Sequence, residues 1–251
     1  QRSPRGLMGV VETYMVQNKT DQALEILQNE TRRFPARTDY RVALGNTAVR
    51  AGRYDVAIGE FQQALRSIDP KSRMAGDVYH RLGETFRRKG DLNSSIGYLQ
   101  KAREILPENP AVVSTLALTL DGAGRKSEAR HAYEQTLNLE PGNGVALNNL
   151  AFLIAEGGGD LDQALTFAQR AKQVLPDLLE VSDTLGWIYL KKNLSDNAVQ
   201  IFSDLVKKEP NHSTYRYHLG MALSQKGDKV RARAELEQAL RTAEVEARQL
   251  R

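Results

Sequence analysis

The sequence contains no cysteine, a single tryptophan and no long apolar run. Without thiols there is no disulfide framework, no thiolate metal site and no cysteine nucleophile, while the redox compartment stays open, because a cysteine-free chain is stable in either. No stretch approaches the roughly 18 apolar residues of a membrane-spanning helix, and the opening QRSPRGLMG has no signal-peptide pattern, so direct membrane insertion is not expected. Charge of one sign is also scarce. The 35 basic and 31 acidic side chains leave a net charge of only +4, and the pI of about 9.2 overstates the imbalance. Such a mixed surface does not suit a nucleic-acid binder.

What is present is a repeat. The 251 residues could fill one large domain or two, and 41% hydrophobic composition suffices for a sizeable core. One unit is written seven times, most visibly at its central turn: NKTDQA, GRYDVA, GDLNSS, GRKSEA, GGDLDQA, NLSDNA and GDKVRA. Before each turn stands an aliphatic residue followed in most units by a small one, as in Leu44-Gly45, Leu82-Gly83, Leu116-Ala117, Leu150-Ala151, Leu185-Gly186 and Leu219-Gly220. After it comes a small residue with a bulky one four places on, as in Ala57 and Phe61, Ala129 and Tyr133, or Ala198 and Phe202. Prolines 35, 70, 107, 141, 176 and 210 close six units, since proline cannot extend a helix. The pattern predicts pairs of helices in which small residues admit a close approach and bulky ones fill the space one turn away. On this reading Gly45, Gly83, Gly186 and Gly220 are packing glycines rather than hinges, and stacked pairs cover the face that one pair leaves open.

Leu-Gly/Ala, an aromatic or aliphatic residue three positions later, then alanine, a bulky residue and proline, with a period of 34, resemble the tetratricopeptide repeat. The units fall at 4–37, 38–75, 76–109, 110–143, 144–178, 179–212 and 213–246, with 247–251 extending the final helix. Departures are four extra residues around DPKSRMAG, one in EGGGD, Val11 at a small-residue position and Ser95 for alanine. The resemblance implies an all-α, right-handed superhelical solenoid of seven antiparallel helix pairs. It also implies a non-catalytic scaffold that holds a protein or peptide partner in a concave groove lined by the first helix of each pair, without cofactor. The segments NNLAFLIAEGGGDLDQAL and DTLGWIYLKKNLSDNA look most like bacterial multi-repeat members, which would place the chain in the bacterial cytoplasm or cell envelope. The compartment itself is unknown from the sequence, and a start at Gln1 reads as a fragment or mature form.

Within each first helix a second face recurs at spacings of three and four. In the sixth unit it carries Asp183 and Trp187, away from the Leu185/Gly186/Tyr189 packing face. Residues equivalent to Trp187 are polar in the first three units (Glu12, Asn46, Glu84) and apolar in the last four (Leu118, Phe152, Trp187, Met221). One turn earlier come Asn148, Asp183 and Tyr217. The expected contact zone is therefore Leu118, Asn148, Phe152, Asp183, Trp187, Tyr217 and Met221, offering side-chain pockets and backbone partners to a peptide. Neighbouring helices could instead cover this row, and the sequence leaves both readings open.

A secondary polar zone holds Asn46, His80, Glu84 and Arg87, with Arg50, Arg81 and Arg88 nearby. Through Asn109 there are 18 basic against 13 acidic side chains, beyond it 17 against 18. A carboxylate-bearing ligand is one expectation and a solvated helix surface the other. The carboxylate clamp of chaperone-binding members of the family is incomplete: Asn46 fits, but Met8, Glu12, His80 and Glu84 stand where other residues are required.

DGAGRKSEA lacks the spacing of a phosphate loop, and the four histidines show no metal-ligand spacing. Only His218, beside Tyr217, lies near the groove, and a surface role is its simpler reading. Rival functions are a docking arm for a catalytic domain outside this chain and an RNA-binding helical repeat. The charged end TAEVEARQLR leaves room for self-association through the solenoid ends.

Overall fold

The computed structural model describes residues 4–249, and among these all regular structure is helical. Fourteen helices alternate with short turns: α1 (Pro4–Val16), α2 (Thr20–Arg33), α3 (Thr38–Arg50), α4 (Tyr54–Leu65), α5 (Arg73–Lys89), α6 (Leu92–Ile105), α7 (Pro110–Gly122), α8 (Lys126–Leu139), α9 (Gly144–Glu156), α10 (Leu161–Val174), α11 (Leu179–Lys191), α12 (Ser195–Lys208), α13 (Ser213–Lys226) and α14 (Lys229–Gln249). They form the seven expected pairs. The chain divides into two compact units, residues 1–135 and 136–251, with α8 running across the division.

Each of the seven turns is made by one residue in the left-handed region: Gly52, Gly90, Gly124, Gly158 and Gly227, and asparagine at 18 (φ 57°) and 193 (φ 61°). A side chain at such φ meets the following carbonyl, and asparagine is among the few non-glycine residues that tolerate it. This explains why the turns are spelled with G or N. The second helices α6 and α10 then start on carboxylate caps, Asp91 accepting from the Ser94 N–H and Asp160 from those of Asp162 and Gln163, whereas α2, α4 and α12 start without a side-chain cap. The four extra residues around DPKSRMAG sit between α4 and α5, where Ser72 caps a lengthened α5 by accepting from the Ala75 N–H at 3.2 Å.

Helices within a pair approach as the small residues require. A Cβ on Gly45 would lie 2.5 Å from Phe61 Cε1, on Gly83 2.4 Å from Leu99 Cγ, on Gly186 2.8 Å from Phe202 Cε1, and on Gly220 2.6 Å from Leu236 Cγ. The four glycines are thus packing sites. Two more were not singled out from the sequence: Gly76 against Leu106 and Gly144 against Leu175, each at 2.7 Å. There a first helix begins against the leucine that precedes a closing proline. Ser95, the departure from alanine, is fully buried and donates its hydroxyl to the Gly83 carbonyl at 2.7 Å.

The first unit centres on Leu7, Val11, Leu27, Tyr40, Leu44, Phe61, Val78 and Leu82. In the second, Phe202, Leu205, Tyr215, Leu219 and Leu223 form one cluster, and Leu147, Ala171 and Val181 another. No helix among the described residues is long and apolar enough to cross a membrane.

Candidate functional site

In the second unit the first helices α9, α11 and α13 are spatial neighbours, α11 touching both of the others. The turns set their register, so residues at one offset come side by side. Asn148 and Phe152 (α9), Asp183 and Trp187 (α11), and Tyr217 and Met221 (α13) share that face. Phe152, Tyr217 and Met221 are exposed, whereas Asn148, Asp183 and Trp187 are half-buried.

Trp187 anchors the cluster. Its indole N–H donates to Glu156 Oε1 at 2.7 Å, and Lys191 Nζ reaches the same oxygen at 3.1 Å while lying 5.0 Å from the indole centroid. The imidazole of His218 packs on the indole, its centroid 4.8 Å away. The Glu156 carboxyl is held below its ordinary pKa first by the Trp187 hydrogen bond, then by Lys191, against the opposing effect of partial burial. The indole is therefore neither a free surface group nor a fully buried filler. It is fixed by polar contacts, with part of its surface accessible.

His218 differs from the surface role expected of it. It is half-buried among the rings of Trp187, Phe202 (5.2 Å) and Tyr217 (5.8 Å), and its Nδ1 lies 2.7 Å from Asp183 Oδ1. The signal was in the sequence: His218 lies one residue beyond the Tyr217 offset, on the side facing α11. Asn148 donates to Asn149 Oδ1 at 3.3 Å, and its own buried Oδ1 has no hydrogen-bond partner. An amide so placed can accept from an incoming N–H once neighbouring side chains shift.

Leu118, on α7, belongs to the first unit and is half-buried. That unit also contains the polar set. Asn46 accepts from Arg81 at 2.7 Å, Glu12 takes a forked pair from Arg50 (2.7 and 3.1 Å), Glu84 pairs with Arg88 at 2.6 Å, and His80 Nε2 meets Thr115 Oγ1 at 3.0 Å. Burial pulls the His80 pKa below its ordinary value, opposed by Glu84. Arg87 keeps a buried Nε without a partner. Three of the arginines thus already have carboxylate or amide partners within the chain, which weakens the case for a carboxylate ligand.

The sequence reading missed a cavity of about 430 Å³ in this unit, framed by α1, α3 and α5 and lined in part by Met8, Tyr40, Val42, Asn46, Met74 and Arg81. The available signal was Met8 and Val42, apolar residues one turn before Glu12 and Asn46.

Comparison with known proteins fits this architecture. Family models described as tetratricopeptide repeat match residues 35–108, 114–177 and 184–247. The tetratricopeptide repeat domain-containing protein PYG7 of Arabidopsis thaliana, a chloroplast protein, is 28% identical over 149 residues, 56% of this chain and 48% of its own length. The chain thus spans about half the length of that curated relative. Among solved structures, PilF of Pseudomonas aeruginosa aligns with a TM-score of 0.72 at 17% identity, over 84% of this chain and 94% of that one. YrrB, a tetratricopeptide repeat protein with an unusual peptide-binding site, aligns at 0.61 and 18%, over 72% and 91%. These identities carry the fold alone. With three matched segments spread along most of its length, the chain belongs to the tetratricopeptide repeat family, whose members generally act as protein-interaction scaffolds.

Proposed function

We propose that the chain is a non-catalytic scaffold that holds an extended peptide or partner segment against the α9–α11–α13 face of its second unit. The observation that carries this reading is the tethered indole. Trp187 is fixed by Glu156, Lys191 and His218 before any partner arrives, with exposed Phe152, Tyr217 and Met221 around it. A pre-organised aromatic surface spends little conformational entropy on binding, and such residues dominate interface energetics. Asn148 and Asp183 supply acceptors for backbone N–H groups. A peptide-binding site in YrrB, a structural relative, gives analogy in the same direction.

The Asp183–His218 pair is enclosed by aromatic rings, which suits an orienting role better than a catalytic one. The near balance of charge beyond Asn109 argues against RNA. Selecting a random 12-residue peptide library on the full chain, then titrating the enriched peptides, labelled with a fluorophore, by fluorescence anisotropy, tests the reading. Trp187→Ala and Phe152→Ala should each weaken binding about tenfold or more. Enriched peptides that ignore both substitutions would overturn it.

A further inference from the structure

Ser182 stands where every other first helix carries a larger residue: Leu7, Arg41, Tyr79, Val113, Leu147 and Arg216. In two of those pairs the arginine crosses to a carboxylate 19 residues on, Arg41 to Glu60 at 3.0 Å and Arg216 to Glu235 at 2.5 Å. The sixth pair has neither partner. Its counterpart of Glu60 is Ile201, and the small serine leaves a hollow of about 170 Å³ between α10, α11 and α12. Ser182 and Leu185 lie on the packing side of α11, so the hollow is separate from the Trp187 face.

Positive charge has moved here from the middle of the place to its walls. Lys172 of α10 and Lys208 of α12 both line the hollow, over a buried floor of Leu185 and Leu205. In the second pair the corresponding positions hold Thr31 and Ser67, in the seventh Val206 and Thr242, and no other pair has a basic residue at both. Lys172 Nζ donates to Ser182 Oγ at 2.6 Å and to the Pro176 carbonyl, which leaves one of its three N–H groups. Lys208 is exposed, and neither lysine pairs with a carboxylate among the described residues. Ser182, only 9% exposed, accepts from Lys172 and keeps its own O–H to donate. The one carboxylate on the wall, Asp204, is taken by Lys207 at 2.9 Å. Two unpaired ammonium groups and a hydroxyl around one hollow suit an anion, and the apolar floor limits screening by water. The hollow is smaller than the roughly 300 Å³ of a drug-sized pocket, so it admits a single chemical group rather than a stretch of peptide. A phosphate matches both the charge and the donors, since it carries about −1.5 to −2 at neutral pH and offers three strong acceptor oxygens, which lysines meet as point charges.

We propose that the hollow beside Ser182 binds a phosphate group, held by the ammonium groups of Lys172 and Lys208 and by the Ser182 hydroxyl.

Isothermal titration calorimetry of the full chain tests this at about pH 8, where phosphate is largely a dianion and lysine is still charged. Two probes are used at constant ionic strength: inorganic phosphate, and a short glycine peptide carrying one phosphoserine. Saturable one-site binding of at least one probe is expected, and the tighter of the two identifies the source as the free ion or a phosphorylated side chain. Lys172→Met and Lys208→Met should each weaken binding about tenfold, whereas Lys229→Met, which removes an exposed lysine of α14, should leave it unchanged. Asp204→Asn should tighten it. Ser182→Leu, which restores the residue found at Leu147, should abolish it with the helical dichroism retained. If that variant does not fold, Ser182→Ala removes only the hydroxyl and should weaken binding about threefold. No saturable binding of either probe overturns the proposal. So does binding that survives both lysine substitutions, a loss in Lys229→Met as large as in Lys208→Met, or equal binding of the unphosphorylated peptide.

Discussion

Trp187 and Glu156 are 31 residues apart in sequence, yet the indole N–H of one donates to the carboxylate of the other at 2.7 Å, tying α11 to α9. Lys191 completes the arrangement from the turn after Trp187. The proposed contact zone is therefore braced from within. Its central aromatic is positioned by groups whose charge state can be set by pH.

Because the hydrogen bond to Trp187 lowers the Glu156 pKa below its ordinary value of 4.5, the bond is fully present above that pH and is lost as pH falls through the lowered value. With one tryptophan in the chain, emission reports this site alone. A fluorescence titration should show a transition centred below pH 4.5 that Glu156→Gln removes, with far-ultraviolet dichroism unchanged across it. A transition centred above 4.5 would contradict the arrangement.

The packing glycines predict a graded loss of stability. An added methyl at Gly186 would meet the Phe202 ring at 2.8 Å, and at Gly83 it would meet both Leu99 Cγ at 2.4 Å and the Leu99 backbone nitrogen at 3.3 Å. Overpacking of this kind costs about 1–3 kcal/mol. Gly83→Ala should be the worse of the two in thermal melts, since backbone yields less than a ring edge. Gly97→Ala, on α6 with nothing within 4 Å, should raise stability by about 0.5–1 kcal/mol.

Those glycines also show how much could be read in advance. Pairing of helices, the Leu-Gly and alanine contacts and the proline stops are local and periodic, so the sequence displays them seven times over. What it hid depends on where side chains end after packing. Glu156 lies at the end of α9, in a stretch that reads as a turn, and nothing in EGGGD marks it as the partner of Trp187. The cavity framed by Met8, Tyr40 and Met74 is likewise a product of three helices, its polar rim masking an apolar floor. The sequence placed Phe152, Trp187 and Met221 at equivalent offsets but could not say which rings were tethered.

Asn193 makes its turn at φ 61° where five other turns use glycine. Replacement by a β-branched residue forces Cβ against the following carbonyl at a cost of about 1–2 kcal/mol. Asn193→Val should lower the melting temperature, while Asn193→Gly should leave it within about 0.5 kcal/mol of the parent. Gln225 adds a tie, donating to Asn193 Oδ1 at 2.8 Å and to the Leu190 carbonyl, so Gln225→Ala should be mildly destabilising as well.

His80 provides a second pH test, independent of the first. Burial lowers its pKa beneath the ordinary 6.5, Glu84 and Asp77 oppose the shift, and Arg81 reinforces it. The unfolded chain therefore takes up a proton at higher pH than the folded one, so stability rises with pH across the interval between the two values. The contribution is fully present above pH 6.5 and is lost as pH falls through the lowered value. Urea titrations of the parent should show a declining midpoint from about pH 6.5 downward. His80→Gln, which keeps a side chain able to bond Thr115 Oγ1 but does not titrate, should flatten that decline. The same slope in both proteins would show that the imidazole is not the group responsible.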